Sequence, residues 1–222
     1  MNAAVDVRRA GPERPEEGGD VLDDGATVVD LAYAVDGDSL PAAHAESLAS
    51  AIGDALPWLA DEPAAAIHPL RTSPTTGGEV LLARRTRLVL RIPEPRIGDA
   101  RALEGRRLAV AGRTLVVGAG ARRPLAPAPT LYAARVASRA SDDRAFHEEI
   151  AGWLAGCNVR CQVIEGRSRT FRTYSMEITT WGLALHGLPP DDSLRVQRLG
   201  CGPFRLLGCG IFVPHKAIAV AD

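Results

Sequence analysis

A glycine-rich segment near the C-terminus has residue types and spacing that could bind an anion. It reads Gly200-Cys201-Gly202-Pro203-Phe204-Arg205-Leu206-Leu207-Gly208-Cys209-Gly210, a G-x-G-x5-G-x-G pattern. Glycine permits positive φ, and successive exposed backbone N–H groups form an anion-binding concavity. Arg205 stands where a dinucleotide-binding fingerprint needs glycine, and the Gly-Lys-Ser/Thr ending of a Walker A loop is missing. The segment is therefore either an anion-binding loop of another kind or a turn that only permits tight packing.

Arginine carries almost all of the positive charge: of 26 basic residues, Lys216 alone is lysine. A planar guanidinium suits bidentate contacts to phosphates, although a GC-rich genome also replaces lysine with arginine. Two groups of arginines are candidate contacts to a polyanion. Arg167, Arg169 and Arg172 lie in or beside a predicted turn, where a merely solvated charged turn is the alternative. Arg85, Arg87 and Arg91 share parity on a predicted strand and should project from one face.

The charge is distributed unevenly along the chain. Residues 1–63 contain 14 acidic residues and three arginines, whereas residues 64–222 contain 23 basic and 13 acidic residues. This asymmetry indicates an acidic tail beside a polyanion-binding surface. Residues 1–25 have no apolar periodicity and are predicted to be a disordered acidic tail. Neither a secretory signal nor an apolar run of membrane length is present, so we expect a cytoplasmic protein.

The four cysteines do not have the spacing typical of a structural zinc site. Cys157 and Cys161 form a C-x3-C pair, and Cys201 and Cys209 form a C-x7-C pair. Structural zinc usually uses C-x2-C or C-x4-C pairs. Reduced, partly buried thiols are expected, with neither a metal nor another cofactor.

Hydrophobic periodicity predicts the order β-α-β-β-α-β in the first half of the chain. A strand over residues 27–35 precedes a helix opened by Pro41, with Ser39 as its cap. Strands follow at 64–70 and 79–92, then a helix at 94–104 and a hairpin of 107–110 with 114–117. This order is the split βαβ unit of the ferredoxin-like fold. It predicts an N-terminal domain at residues 26–118, followed by a Pro- and Gly-rich linker at 119–129.

The second half, residues 130–222, repeats the same order. Strands are predicted at 130–138, 159–164, 171–178, 181–188 and 211–213, with a turn at 165–169. Helices are predicted at 142–155, with Ser141 as its cap, and at 193–199. The predicted fold is therefore α+β, with two tandem ferredoxin-like (βαββαβ) units and a C-terminal glycine-rich loop.

With these elements the chain resembles the CRISPR repeat-cleaving endoribonucleases of the repeat-associated mysterious protein superfamily, and most closely their compact bacterial subtype. The resemblance covers residues 27–217, and its most specific piece is LGCGIFVPH at 207–215. It is also carried by residues 28–57 (VVDLAYAVDGDSLPAAHAESLASAIGDALP), 67–70 (IHPL), 87–93 (RLVLRIP), 131–133 (LYA) and 193–215. It implies tandem ferredoxin-like folds with a glycine-rich loop of this pattern.

The resemblance also implies metal-independent RNA cleavage. A ribose 2′-OH attacks the adjacent phosphate, leaving a 2′,3′-cyclic phosphate and a 5′-OH. Histidine, with an ordinary pKa of about 6.5, suits the proton transfers. His44 stands where the family carries its catalytic histidine; the alternative is an ordinary exposed helix residue. His68 is a second catalytic candidate; the alternative is a residue that only ends a strand. His215 and Lys216 are candidate phosphate contacts.

Two departures weaken the implied cleavage more than the implied RNA binding. The subtype has an acidic residue before this histidine and a tyrosine after it, where this chain has Ala43 and Glu46. The middle of the glycine-rich segment keeps one basic residue, Arg205. We expect an endoribonuclease that cuts precursor CRISPR RNA into guide RNAs and stays bound to the product in an effector complex. A non-cleaving RNA-binding subunit and an unrelated module for a small anionic ligand are the alternatives.

Overall fold

A computed structural model describes residues 27–75 and 77–216, so the predicted acidic tail at 1–25 lies outside the described residues. The strands are β1 (Val28–Asp36), β2 (Ser39–Pro41), β3 (Ala66–Ile67), β4 (Ser73–Pro74), β5 (Glu79–Leu81), β6 (Arg87–Pro93), β7 (Arg107–Val110), β8 (Arg113–Pro124), β9 (Thr130–Ala137), β10 (Gln162–Arg172), β11 (Glu177–His186) and β12 (Val213–Pro214). The α-helices are α1 (Ala45–Ala55), α2 (Ile97–Ala100), α3 (Asp143–Gly156) and α4 (Pro190–Leu199). The predicted α+β architecture is confirmed. None of the described helices has the length and apolar character that crossing a bilayer requires.

The first sheet has the strand order β3-β6-β1-β8-β7, with β1 antiparallel to both β6 and β8. Alternate residues of its strands point to one face, where the cross-strand pair Leu31 and Leu90 is fully buried. The helix α1 covers this face with Leu48 and Ile52, which lie four residues apart and therefore on one side of the helix. The burial of each such side chain contributes about 1.5–3 kcal/mol.

The helix α1 begins later than the sequence predicts. Ser39 does not cap it, because Ser39 lies in β2 and its hydroxyl donates to Glu79 at 2.7 Å. The residue immediately before the first helical turn is His44, whose side chain makes no capping hydrogen bond. The imidazole therefore lies at the helix N-terminus without a capping role.

The second sheet has the order β10-β11-β9-β12, and α3 covers one of its faces. Phe146 of α3 stacks on Trp181 of β11 with a ring-centroid distance of 4.5 Å. The cap of α3 is Asp142, whose carboxylate accepts a hydrogen bond from the N–H of Ala145, and not the predicted Ser141.

Four predicted elements have wrong boundaries. The predicted turn at 165–169 is a register shift inside the continuous strand β10, where Gly166 packs closely against Gly182, and the turn lies at residues 173–176. The predicted strand at 79–92 is divided into β5 and β6, and the predicted helix at 94–104 is a short α2 between two 3-10 turns. The strand β8 continues to Pro124, through the first half of the predicted linker. Glycine and proline thus mark irregular strands here as well as turns.

A buried arginine of the first sheet, paired with a carboxylate on the neighbouring strand, joins the two halves of the chain. Arg91, with 1% of its side chain exposed, donates to both carboxylate oxygens of Asp30 at 2.8 and 3.2 Å. Its remaining Nη1 donates to the carbonyls of Gln197 at 2.9 Å and Phe212 at 2.8 Å. Because its donors are used inside the protein, the prediction that Arg91 contacts a polyanion is wrong.

We predict that Arg91→Met lowers the free energy of unfolding by about 3 kcal/mol, because it leaves Asp30 and two carbonyls without their buried partner. Urea denaturation measures the change. The matched control is Arg87→Met on the same strand, since the donors of Arg87 reach only the nearby carbonyls of Arg84 and Thr86. Equal stability of the two variants would show that the buried contacts of Arg91 do not stabilise the junction of the two halves.

Candidate active site

A cavity of about 170 Å³ brings together residues from both halves of the chain. From the first half it is lined by His44 at the start of α1 and by His68 after β3. From the second half it is lined by Arg135 of β9 and Phe171 of β10. Leu206 and Leu207 of the glycine-rich segment complete this part of the wall. Both candidate histidines and the glycine-rich segment therefore share one cavity, although Leu207 lies 139 positions after His68 in the chain.

His44 has the tautomer that a general base requires. Its Nδ1 lies 2.8 Å from the carbonyl of Pro41, and because a carbonyl can only accept, Nδ1 carries the hydrogen and donates it. The other ring nitrogen, Nε2, is then the acceptor. Burial lowers the pKa of His44 below its ordinary value, against the Pro41 carbonyl, and the charge of Arg135 lowers it further. The ring is consequently neutral at pH 7.

His68 is held by an acidic partner. Its Nε2 lies 3.3 Å from Asp30 Oδ1, so Nε2–H donates to the carboxylate and Nδ1 is the acceptor nitrogen. Burial lowers the pKa of His68, although Asp30 opposes the shift. Burial alone would raise the pKa of Asp30, but hydrogen bonds from His68 and Arg91 outweigh it and hold that pKa below its ordinary value. The carboxylate that pairs with Arg91 thus also holds the second imidazole of the cavity.

Arg135 is a cavity residue that the sequence analysis missed. Its guanidinium carbon lies 4.1 Å from the centre of the Phe171 ring, a cation–π contact. Burial lowers its pKa. Within residues 27–75 and 77–216 no carboxylate forms an ion pair with it. Nothing in the sequence around Arg135 distinguishes it from other arginines, because the contact depends on the pairing of β9 and β10 with β11.

The glycine-rich segment is built for close packing. Gly200, Gly202, Gly208 and Gly210 have φ values of 67°, 73°, 87° and 66°. A Cβ on Gly208 would lie 3.0 Å from Pro69, beside His68. Six backbone N–H groups already donate to carbonyls, those of Gly200, Cys201, Leu207, Gly208, Cys209 and Gly210. The prediction that these N–H groups are free to bind an anion is therefore wrong. Gly202 is exposed and remains a candidate contact to an anion.

Arg205 fastens this segment to the first half. Its Nη2 donates to the carbonyl of Ala64 at 3.1 Å, and its Nε donates to that of Ala65 at 3.3 Å. It also donates to the carbonyls of Arg198 and Leu199. Burial and the charge of Arg91 lower its pKa to about 10. Because these donors are used, the predicted RNA contact by Arg205 is wrong.

The arginines of β10 are exposed, as the predicted contact surface requires. Arg167 and Arg169 have exposed side chains, and Arg172 forms an ion pair with Glu177 at 2.7 Å. Arg169 precedes Phe171 by two residues, so the two side chains project from the same face of the strand. A basic residue therefore lies on the face that leads to the cavity.

The remaining candidates do not form one group with these arginines. Arg85 is exposed in the turn before β6, whereas Arg87 is half-buried and Arg91 is buried, so the predicted common face is wrong. His215 packs against Tyr132 with a ring-centroid distance of 5.4 Å, and its Nδ1–H donates to the carbonyl of Lys216. Both residues are exposed at the end of β12.

Glu46 ties the tip of the β10–β11 hairpin to α1. Its two carboxylate oxygens accept from the N–H of Ser175 at 2.9 Å and from the Ser175 hydroxyl at 2.6 Å. These hydrogen bonds lower the pKa of Glu46. Glu46, which stands where the family has a tyrosine, therefore holds the hairpin tip against the first turn of α1, two positions after His44.

A second cavity and the cysteines lack the features of a catalytic or metal site. A cavity of about 470 Å³ between α3 and β10 contains His147, which is already paired with Glu165 at 2.9 Å, among largely apolar side chains. The four cysteines are free thiols, and burial raises the pKa of Cys201 to about 12. In the described part of the chain, no three His, Cys, Asp or Glu side chains are grouped to hold a metal ion. The cavity with two imidazoles and a guanidinium remains the candidate active site.

Comparisons with known proteins identify related chains. A protein-family model described as Cas6 Crispr matches residues 29–217. The CRISPR-associated endonuclease Cas6 of Myxococcus xanthus (strain DK1622) is 35% identical over 187 residues, which cover 84% of this chain and 81% of that protein.

Solved structures show the same fold. A CRISPR associated protein Cas6 superposes with a TM-score of 0.61 at 13% identity, covering 86% of this chain and 100% of that chain. A RAMP protein binding different RNA substrates superposes with a TM-score of 0.59 at 12% identity, with coverage of 86% and 100%. At these identities the structural similarity concerns the fold alone.

We predict that the imidazoles of His44 and His68 titrate below their ordinary pKa of about 6.5, as followed by NMR. The folded state binds these protons more weakly than the unfolded state does. The free energy of unfolding is therefore highest above about pH 6.5 and declines as the pH falls below that value. In His68→Gln, which keeps a hydrogen-bond donor to Asp30, the free energy of unfolding should decline less as the pH falls. Midpoints at or above the ordinary value would contradict the burial of the two rings.

Proposed function

The chain belongs to the Cas6 family of CRISPR-associated proteins, and from this premise we propose that it binds CRISPR repeat RNA and cleaves precursor transcripts within each repeat. The observation that carries the proposal is the shared cavity, where His44 and His68 meet Arg135 and the glycine-rich segment. Two imidazoles and a cation in one cavity are suited to transesterification of an RNA phosphodiester.

The proposed reaction needs no metal. His44 Nε2 takes the proton of the ribose 2′-OH, the 2′-oxygen forms a bond to phosphorus, and the bond from phosphorus to the 5′-oxygen breaks. The leaving 5′-oxygen takes a proton from the Nδ1–H of protonated His68, a form that burial disfavours and the Asp30 carboxylate favours. The products are a 2′,3′-cyclic phosphate and a 5′-OH. The Nδ1 donor of His44 and the low pKa of its ring support the base role, because both leave Nε2 unprotonated near neutrality.

RNA reaches the cavity along β10 in this proposal. The exposed Arg167 and Arg169 contact phosphates, and Arg169 lies on the face that carries Phe171. Arg172, Gly202 and the His215–Lys216 end of β12 are further candidate contacts, and Arg85 and Arg87 are candidates on the first half. RNA helices are recognised mainly through shape and phosphates, which suits a surface of this kind. The protein then stays bound to its product as a subunit of an effector complex.

Each of the two larger sheets with its helices forms one ferredoxin-like unit in this proposal. The shared strand order supports it, since β3-β6-β1-β8 and β10-β11-β9-β12 both place the unit's first strand between its third and fourth. The first unit extends beyond the predicted bound of 118 to the end of β8 at Pro124, which leaves residues 125–129 as the connector to the second unit. The cavity then lies where the two units meet.

We predict that the protein cleaves labelled RNA carrying the repeat of a CRISPR array from its own genome in the presence of EDTA. His44→Ala should lower the single-turnover rate at least ~100-fold and change affinity little, because it removes a proton acceptor. The matched control is His147→Ala, since that imidazole lies on α3 outside the cavity. End analysis should find a 2′,3′-cyclic phosphate.

The other outcomes of this assay separate the alternatives. Tight binding without products would indicate a non-cleaving RNA-binding subunit. An absence of both binding and products would favour the small-ligand module. A requirement for a divalent cation would contradict the metal-independent reaction.

We predict that Arg169→Ala weakens RNA binding and lowers the slope of log Kd against log salt concentration by about one, because one phosphate contact is lost. The cleavage rate at saturating protein should stay unchanged. Arg144→Ala is the control, since Arg144 lies exposed on α3 and pairs with Glu148. Unchanged affinity at every salt concentration would remove Arg169 from the interface.

A further inference from the structure

The guanidinium of Arg135 is half-buried in the cavity that both histidines also line, with an aromatic ring as its close partner. The other two arginines at the junction of the sheets are used internally. Arg91 pairs with Asp30 and two carbonyls, and Arg205 reaches four carbonyls. Among the described residues, no ion-pair partner offsets the charge of Arg135.

A guanidinium in this position is unfavourable for the free protein. Burial removes water from a charged group, and the face of a phenylalanine ring returns only part of the lost solvation. An anion entering the cavity would supply the missing partner. Planar N–H donors also match the oxygens of a phosphate bidentately.

We propose that Arg135 binds the scissile phosphate and stabilises the negative charge on its nonbridging oxygens while the 2′-oxygen attacks, an inference that rests on the proposed function. Arg135 is then a catalytic residue contributed by the second half of the chain. Phe171 is a positioning residue that holds the guanidinium plane. The family usually has several basic residues in the glycine-rich segment, and this chain has one. The assignment accounts for this difference, because Arg135 on β9 supplies positive charge in their place.

The proximity of Arg135 to His44 makes one cation serve two purposes. Burial lowers the pKa of His44, and the charge of Arg135 lowers it further, which favours the unprotonated ring that accepts the 2′-proton. The same charge faces the phosphate on which negative charge develops. One cation therefore favours both the neutral base and the charged transition state.

Single-turnover cleavage of repeat RNA at saturating protein tests the assignment, with Arg135→Ala, Arg135→Lys and the control Arg144→Ala. Loss of a transition-state charge partner lowers the rate by about 100-fold or more. The affinity of Arg135→Ala for uncleaved RNA falls much less than its rate. Arg135→Lys keeps part of the wild-type rate, and added methylguanidinium restores part of the rate of Arg135→Ala. Circular dichroism and thermal melting check that each variant is folded.

The outcome for the wild type separates the two proposals. If the wild type cleaves and Arg135→Ala cleaves within about threefold of it, the assignment of Arg135 is overturned while the proposed function stands. If the wild type does not cleave, the proposed function fails, and titration with inorganic phosphate followed by the NMR signals of His44 decides the anion site. A phosphate-dependent shift in the wild type that is lost in Arg135→Ala supports the site, and equal shifts in both overturn it.

Discussion

Arg91 carries a charge in the interior of the protein, and each end of its guanidinium is bonded to a different half of the chain. On one side it holds Asp30, which in turn holds His68. On the other side it holds the carbonyls of Gln197 and Phe212, which flank the glycine-rich segment. A buried cation tolerates little movement, because any separation leaves charged and polar groups without partners. The relative position of the two sheets, and so the shape of the cavity, follows from this constraint.

Other contacts across the junction reinforce the same arrangement. Arg205 bonds the carbonyls of Ala64 and Ala65, and Gly208 fits closely against Pro69. Glu46 holds the tip of the β10–β11 hairpin. None of these contacts lies within one sheet, so the cavity forms only when both halves fold and meet. Burial lowers the pKa of both imidazoles, and Arg135 supplies the positive charge in the wall of the cavity.

The sequence predicted the elements that local patterns specify and missed what depends on contacts between distant segments. Apolar spacing identified α1, and alternation identified β1 and β6, because each pattern reflects a single buried face. The position of Gly166 in a strand could not be distinguished from a turn, since glycine suits both. Parity predicted one exposed face for Arg85, Arg87 and Arg91, but α4 and Phe212 cover Arg91. His44 and His68 were found through their chemistry and the family resemblance, whereas Arg135 acquires its role only from the docking of two strands.

The structure of the protein bound to repeat RNA with a 2′-deoxy nucleotide before the cut tests the central claim most directly, because this RNA binds but cannot react. The account predicts that the scissile phosphate lies in the cavity, within hydrogen-bond reach of Arg135 and with the 2′-position facing His44 Nε2. RNA that follows another surface and leaves this cavity unoccupied would contradict it.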